Sequence, residues 1–196
     1  MSPDELELFA ASIRQAVDGR TGPALDAALA DIGWADALQE WPAAAVQALF
    51  SAQGRACATS SALSTVLLSG LGVPTGTLVL PPLDSTRIGI VMDGRLQVHG
   101  LTTSDTELLV PAVDGDKAVV VRVAAGDLSL SPVSGIDPSA GLLAVEGDLI
   151  ASSDPVPGSW DDAVAVGHRA LASELVGCGR AMLELARTHA LDREQF

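Results

Sequence analysis

The last quarter of the chain repeats apolar residues every three or four positions, which predicts one long helix from Gly158 to Phe196. Ser159 is placed to cap this helix, because Asp162 follows three residues later in a capping-box arrangement. At about 1.5 Å per residue, the helix would be on the order of 50 Å long. Its apolar stripe consists of Trp160, Val164, Gly167, Leu171, Leu175, Cys178, Met182 and Leu185.

A stripe of small residues runs beside the apolar one along the same helix. Small side chains let a second helix approach closely, so we expect this helix to need partners along its whole length. Left unmatched, the apolar stripe is expected to drive self-association, since apolar patches of that size seldom stay bare. The small stripe consists of Ala163, Ala170, Gly177 and Ala181.

Helical spacing of apolar residues also covers residues 1–72. Ser2-Pro3-Asp4-Glu5 has the residues of a helix start, and breaks follow at Asp18-Gly19 and at Gly22-Pro23. A second helix is predicted to end near Gly33-Trp34. A third starts at Trp41-Pro42, and a fourth covers residues 61–71.

From Thr75 to Ile150 the pattern changes to short β-rich runs divided by Gly, Asp and Pro. Asp93-Gly94 is predicted to form a tight hairpin turn, and Asp114-Gly115-Asp116 a looser one. No helical stretch separates the runs, so the sheet is expected to be mainly antiparallel. The predicted strands are residues 77–80, 88–92, 95–100, 107–112, 118–123 and 128–133.

These patterns predict an α+β protein with three segments. Residues 1–72 form an N-terminal helical bundle, and residues 73–152 form a central antiparallel β-sandwich or barrel. Residues 153–196 are a linker and one long C-terminal helix.

Composition narrows the class of protein. The chain has 25 acidic and 11 basic residues among its 196, and 48% of its residues are hydrophobic, enough for a sizeable core. An acidic chain without basic clusters argues against nucleic-acid binding and against anionic membranes. The N-terminal sequence lacks the basic region of a signal peptide, so we expect a cytoplasmic protein. Cys57 and Cys178 are expected to pack in the core.

Candidate catalytic residues are few. No phosphate-binding loop and no nucleophile elbow occurs in the sequence. His99, His168 and His189 are isolated from other metal ligands, so no metal site is expected. Glu174 lies beside the apolar stripe, where burial would raise its pKa and make it a usable base. The alternative for Glu174 and for Glu184 is a surface glutamate paired with a nearby arginine.

Five segments carry a resemblance to a known family. They are ASELVGCGRAMLELARTHALDREQF (172–196), ALADIGWADAL (28–38), SAQGRACAT (51–59), SDTELLVPA (104–112) and GIDPS (135–139). Together with the order of helices, β domain and helix, they make the chain similar to the acyl-CoA dehydrogenases. Among these segments, the ending Arg193-Glu194-Gln195-Phe196 is the strongest match.

The resemblance implies FAD as cofactor, an acyl-CoA thioester as substrate and α,β-dehydrogenation as the reaction. It also implies a homo- or hetero-oligomer and an electron-transfer flavoprotein as electron acceptor. Arg193, Gln195 and Phe196 are expected to contact the FAD of a neighbouring subunit. Thr102 and Thr103 are expected to supply a hydroxyl near the flavin.

Two departures from the family pattern leave the function open. Residues 76–89 lack the Thr-Glu-Pro segment that contacts flavin in the family. The family's catalytic glutamate lies either late in the C-terminal domain, which this sequence does not contain, or at a position matching Gly167. No catalytic residue is therefore assigned. The chain is expected to be a flavoenzyme subunit, inactive alone, or else a degenerate, non-catalytic partner of a complete homologue.

Overall fold

The computed structural model describes residues 2–82, 89–103, 106–135, 141–150, 156 and 158–193. These residues form six α-helices and a seven-stranded mixed sheet, which confirms the predicted α+β class with its long C-terminal helix. The chain divides into two compact units, one combining Met1–Val66 with Val166–Phe196 and the other comprising Leu67–Ala165. The predicted segment boundaries at residues 72 and 152 stay a prediction.

The first helix begins where the sequence supplies helix-starting residues. Ser2 Oγ accepts a hydrogen bond from the Glu5 backbone N–H at 3.3 Å, and the Glu5 carboxylate accepts one from the Ser2 N–H at 2.6 Å. This is the predicted capping box. The helices are α1 (Pro3–Val17), α2 (Pro23–Asp31), α3 (Trp34–Glu40), α4 (Pro42–Ala56), α5 (Ala62–Gly70) and α6 (Trp160–Asp192).

Helix α3 is absent from the sequence-based prediction, which left residues 35–40 without an element. The helix has only seven residues, too few for a periodic pattern to show. Gly33 turns the chain with φ of 69°, in the left-handed region that favours glycine. Trp34 then buries its indole, whose Nε1–H donates to the Ala45 carbonyl at 3.1 Å. Tertiary packing therefore fixes α3.

The two cysteines differ from their predicted core positions. Cys57 caps the C-terminal end of α4 with φ of 50° and is exposed, so the prediction that it packs in the core is wrong. The helix must end there with a left-handed residue, and that geometry directs the side chain to solvent. Cys178 is half-buried on α6, with its Sγ 3.1 Å from the Gly54 carbonyl oxygen.

The helical unit is built around α1 and α4. Its fully buried side chains include Ile13, Leu25, Leu49 and Phe50, each at most 2% exposed. Burying a side chain of this size stabilises a fold by about 1.5–3 kcal/mol. Ala170 of α6 belongs to the same core and is also fully buried.

Helices α4 and α6 touch backbone to backbone at two glycines. A methyl group on Gly54 would overlap the carbonyl oxygen of Glu174, and one on Gly177 would overlap that of Ser51. The Ser51 hydroxyl also donates to the Ser173 carbonyl at 3.4 Å. The predicted close approach along the small-residue stripe is therefore confirmed at Gly177.

The second unit contains one mixed sheet. Its strands are β1 (Thr77–Leu78), β2 (Gly89–Met92), β3 (Arg95–Thr102), β4 (Glu107–Asp114), β5 (Lys117–Ala124), β6 (Ser129–Pro132) and β7 (Leu143–Ile150). β4 pairs along one edge with β5, antiparallel, and along the other with β1 and β2, both parallel. The β2–β3, β3–β7 and β7–β6 ladders are antiparallel. Antiparallel ladders thus predominate among the described strands, as expected.

Both predicted hairpins are present. Met92 pairs with Arg95, so Asp93 (φ 51°) and Gly94 (φ 72°) form the tight two-residue turn. Asp114 pairs with Lys117, which leaves two residues in the second turn. This second turn is therefore tighter than predicted.

Strand β7 is missing from the sequence-based prediction, and its omission is the largest error. Gly147 and Asp148 lower its intrinsic β propensity. Its partners compensate, because all eight residues pair with β3 and Leu143 to Glu146 pair with β6 on the other edge. The predicted strand 77–80 is shorter than expected, with Leu80 forming only an isolated bridge to Leu101. Ile88 lies outside the described residues, as does part of the 135–139 segment.

The glycine contact between α4 and α6 predicts a specific mutational effect. Gly177→Ala and Gly54→Ala should each lower the free energy of unfolding by about 1–3 kcal/mol, because backbone must move to admit the methyl group. Chemical denaturation measures the change. Gly179→Ala is the matched control on the same helix, since nothing lies within 4 Å of its added carbon.

Alanine at position 179 should stabilise the chain by up to about 1 kcal/mol through helix propensity. Equal effects of alanine at positions 177 and 179 would contradict the close contact.

Candidate functional site

Helix α6 presents two different faces. Its own unit covers the small residues, and Gly177 and Ala170 are buried. Many of the large apolar residues further along the helix are exposed, among them Leu175 at 72% and Met182 at 70%. The exposed large residues of α6 are Leu171, Leu175, Val176, Met182, Leu183, Leu185 and Leu191, and we call them the bare face. Large apolar side chains seldom stay exposed in this number along one helix, so the bare face is a candidate interaction surface.

The end of α6 has little support from its own unit. Every residue from Met182 to Asp192 is exposed. Glu184 there makes a bidentate ion pair with Arg55 of α4, at 2.7 Å and 3.1 Å. This confirms the predicted pairing of a helix glutamate with an arginine. Both side chains are substantially exposed, so the pair contributes only about 0–1 kcal/mol.

Glu174, the candidate base, lies at the contact with α4. Burial raises the pKa of its carboxyl above the usual value, in the predicted direction. Its carbonyl oxygen faces Gly54, so packing of α6 against α4 accounts for the desolvation. Within the described residues, Glu174 lines none of three open surface pockets of the helical unit, whose volumes are about 150, 310 and 480 Å³. Gly167 is buried and has no side chain to act as a base.

The predicted cofactor residues lie in different units. Thr102 ends β3 and is 2% exposed, whereas Thr103 follows it in a bend and is exposed. Arg193 follows the last residue of α6 and is exposed. Gln195 and Phe196 lie outside the described residues.

The side chains of Arg193 and the two threonines meet only some of the chemical requirements of a dinucleotide site. An exposed guanidinium such as that of Arg193 suits a pyrophosphate, and a threonine hydroxyl suits a ring carbonyl or phosphate oxygen. A buried cofactor site would also contain desolvated polar side chains aimed at the ligand. Within the described ranges, every buried side-chain nitrogen or oxygen already has a hydrogen-bond partner. Side chains of these types are therefore suited to contribute to a cofactor site. The described residues do not form a complete cofactor site.

One histidine of the chain lies on β3 and the other two lie on α6. His99 lies in the middle of β3, and its Nδ1 is 3.2 Å from the Glu146 carboxylate on β7. His168 and His189 are exposed on α6. Among the residues that the structure describes, no three potential ligands group into a metal site. Nor does any described helix combine the length and apolarity needed to cross a membrane.

Comparison with known proteins identifies the fold. No family model matches the sequence, and neither does any curated protein. Among solved structures, the ChsE4-ChsE5 complex from Mycobacterium tuberculosis matches with a TM-score of 0.70 and 20% identity, over 100% of this chain and 69% of that one. A variant of the Tcur3481-Tcur3483 steroid ACAD matches with a TM-score of 0.69 and 18% identity, over 98% and 68% of the two chains.

A glutaryl-CoA dehydrogenase from Mycobacterium smegmatis, solved in complex with FADH2, also matches, with a TM-score of 0.54 and 14% identity. It is covered over 67% of its length by the whole of this chain. The chain therefore has the acyl-CoA dehydrogenase fold and spans about two thirds of the length of these structures.

The raised pKa of Glu174 predicts how stability changes with pH. A raised folded-state pKa means that the folded chain holds the proton more tightly than the unfolded one, so this stabilisation is full below the unfolded pKa and is lost as pH rises through the folded pKa. Glu174→Gln should therefore gain stability relative to the native chain as pH rises from about 4 to 7. Urea unfolding across that range measures the difference.

Glu7→Gln, on the exposed side of α1, controls for the loss of one carboxylate. If the stability of Glu174→Gln relative to the native chain falls as pH rises, the Glu174 carboxyl is not desolvated.

Proposed function

We propose that this chain is a subunit of an acyl-CoA dehydrogenase-like flavoprotein assembly, associated with FAD-dependent α,β-dehydrogenation of an acyl-CoA thioester. The observation that carries the proposal is the bare face of α6 in a chain with the acyl-CoA dehydrogenase fold. Two of the similar structures are named as pairs of chains, which supports hetero-oligomerisation.

Burial of the bare face would favour assembly with another chain. Fully burying a Leu or Met side chain stabilises an interface by about 1.5–3 kcal/mol before the costs of association. Leu175, Met182 and Leu183 are each at least 70% exposed, so helices of another chain would bury most of their surface. Such helices would also support the part of α6 beyond Ala181, which its own unit leaves exposed.

We propose that the residues at the end of α6 contact the cofactor. In this proposal Arg193, Gln195 and Phe196 contact the FAD held with a neighbouring subunit. Arg193 would offer paired N–H donors to the pyrophosphate, and Phe196 would pack on the adenosine. Thr102 and Thr103 would offer a hydroxyl near the flavin, which supplies the hydride-accepting chemistry when bound. Electron transfer to an electron-transfer flavoprotein and a cytoplasmic location are further expectations of the resemblance.

A second candidate function is a non-catalytic partner that stabilises or regulates a complete homologue. Gly167 occupies the position that carries a catalytic glutamate in some members of the resembled family, and it has no side chain. Glu174 is half-buried, and its backbone carbonyl packs against Gly54 of α4. Both observations favour a chain that contributes an interaction surface, while another chain contributes the catalytic base.

Mixing experiments test the assembly. The purified chain alone should be colourless and show no turnover of acyl-CoA esters with an artificial electron acceptor. Mixed with a full-length chain of the same fold from the same organism, it should co-elute with flavin absorbance. Leu175→Asp with Leu183→Asp should abolish co-elution, because each carboxylate would be buried unpaired. Leu8→Asp on α1 is the matched control, since Leu8 is equally exposed at 70%.

Arg193→Ala tests the cofactor contact separately. It should leave co-elution intact and lower flavin retention several-fold, through loss of a charge-assisted hydrogen bond. Turnover that requires this chain would support the flavoenzyme subunit, and co-elution without any change in flavin or turnover would support the non-catalytic partner. Turnover by the chain alone, or no co-elution, would contradict the proposal.

A further inference from the structure

The two cysteines of the chain converge on one carbonyl group. The Cys178 thiol on α6 donates to the backbone oxygen of Gly54 at 3.1 Å. The backbone N–H of Cys57, the residue that ends α4, donates to the same oxygen at 3.4 Å. The sequence contains no other cysteine. Because Cys57 and Cys178 lie far apart in the sequence, only the packing of α6 against α4 brings them to the same place.

The backbones beside the two cysteines are already in contact. A methyl group on Gly54 would lie 3.0 Å from the backbone nitrogen of Cys178, and α4 ends three residues later at Cys57. A disulfide joins residues whose Cα atoms are about 4.4–6.8 Å apart. Separations of that size between two helices require glycine at the contact, since a side chain holds the backbones further apart. Gly54 therefore lets the Cys178 backbone approach the end of α4 closely enough for a disulfide.

Both thiols are able to react. Cys57 is exposed and Cys178 is half-buried, and each carries a free thiol. The hydrogen bond that holds the Cys178 side chain is weak, because a thiol is a poor donor. An accessible cysteine with a second cysteine beside it, able to resolve an oxidised form of the first, is a recurring arrangement in redox-responsive proteins. Here Cys57 is the accessible member of the pair and Cys178 is the resolving one.

We propose that Cys57 and Cys178 are a modification site, where a reversible intramolecular disulfide ties α6 to the end of α4. The oxidant is a small-molecule disulfide of the glutathione class. The Cys57 thiolate attacks one sulfur of that disulfide, forms a mixed disulfide and releases one thiolate. The Cys178 thiolate then attacks the Cys57 sulfur and releases the second. The protein thiols lose two protons and two electrons, and the small disulfide is reduced to two thiols.

The disulfide joins α6 to its own unit near the point where packing ends. Between Cys178 and Asp192, Ala181 is the one residue of α6 that is not exposed. The covalent bond replaces a weak hydrogen bond, and it closes a loop that contains all seven described strands. Closing a long loop restricts the unfolded chain and so stabilises the folded one. This stabilisation does not depend on flavin or on assembly with another chain.

Thiol–disulfide exchange on the purified chain tests the site. A glutathione redox buffer at about pH 8.5, where ordinary thiols are partly ionised, should convert the monomer to a species two hydrogens lighter, without bound glutathione. Intact mass spectrometry and maleimide labelling measure this conversion. The oxidised monomer should melt roughly 5–10 °C higher than the reduced one, because of the long closed loop. Dithiothreitol should reverse both changes.

Moving the second thiol around α6 gives the matched control. Cys178→Ser with Gly179→Cys keeps two cysteines in the chain, but nothing lies within 4 Å of a carbon added at position 179. This variant should form mixed disulfides with glutathione and gain no thermal stability. Cys57→Ser and Cys178→Ser should each keep one thiol that ends as a mixed disulfide. Circular dichroism confirms that the variants are folded.

The inference is overturned if both thiols of the native chain stay free or keep glutathione, or if disulfides form only between two chains. It is also overturned if the control variant closes an internal disulfide to the same extent, or if the oxidised native chain melts no higher than the reduced one. None of these measurements involves flavin. Failure here would therefore refute the disulfide and leave the proposed function standing.

Discussion

The backbone contact between α4 and α6 determines how the rest of the long helix is used. Gly54 and Gly177 let the two helices approach until carbonyl oxygens occupy the space of a side chain. A helix can commit only one face to such a contact. Because α6 packs through its small residues, seven of its large apolar side chains from Leu171 onward stay exposed. The exposed surface is thus a direct consequence of where the glycines lie.

Much of the fold could be predicted from local signals. The capping box at Ser2 and Glu5, the Asp93-Gly94 turn and the length of α6 all follow from residue types at fixed spacing. Helix α3 and strand β7 could not be predicted that way. Trp34 fixes the first by burial against α4, and two neighbouring strands support the second despite Gly147 and Asp148. Both depend on partners distant in sequence, which local pattern does not contain.

The candidate site, too, could be predicted from the sequence only in part. Periodicity predicted a large and a small stripe on α6, but it did not show that the large stripe is buried at Trp160 and Gly167 and exposed at Leu171, Leu175, Met182 and Leu185. The sequence left a surface pairing with arginine open for both glutamates of that helix, and the structure separates them. Arg55 pairs with Glu184, while Glu174 is desolvated at the α4 contact.

Hydrogen–deuterium exchange along α6 in the monomeric chain tests the central claim most directly. A helix in water without tertiary packing is marginally stable, so its amides exchange readily. The account predicts strong protection between Ala163 and Gly177 and weak protection from Met182 to Asp192, where every residue is exposed. Uniform protection of α6 to its end in a monomer would contradict the account, because it would mean that the chain covers its own bare face.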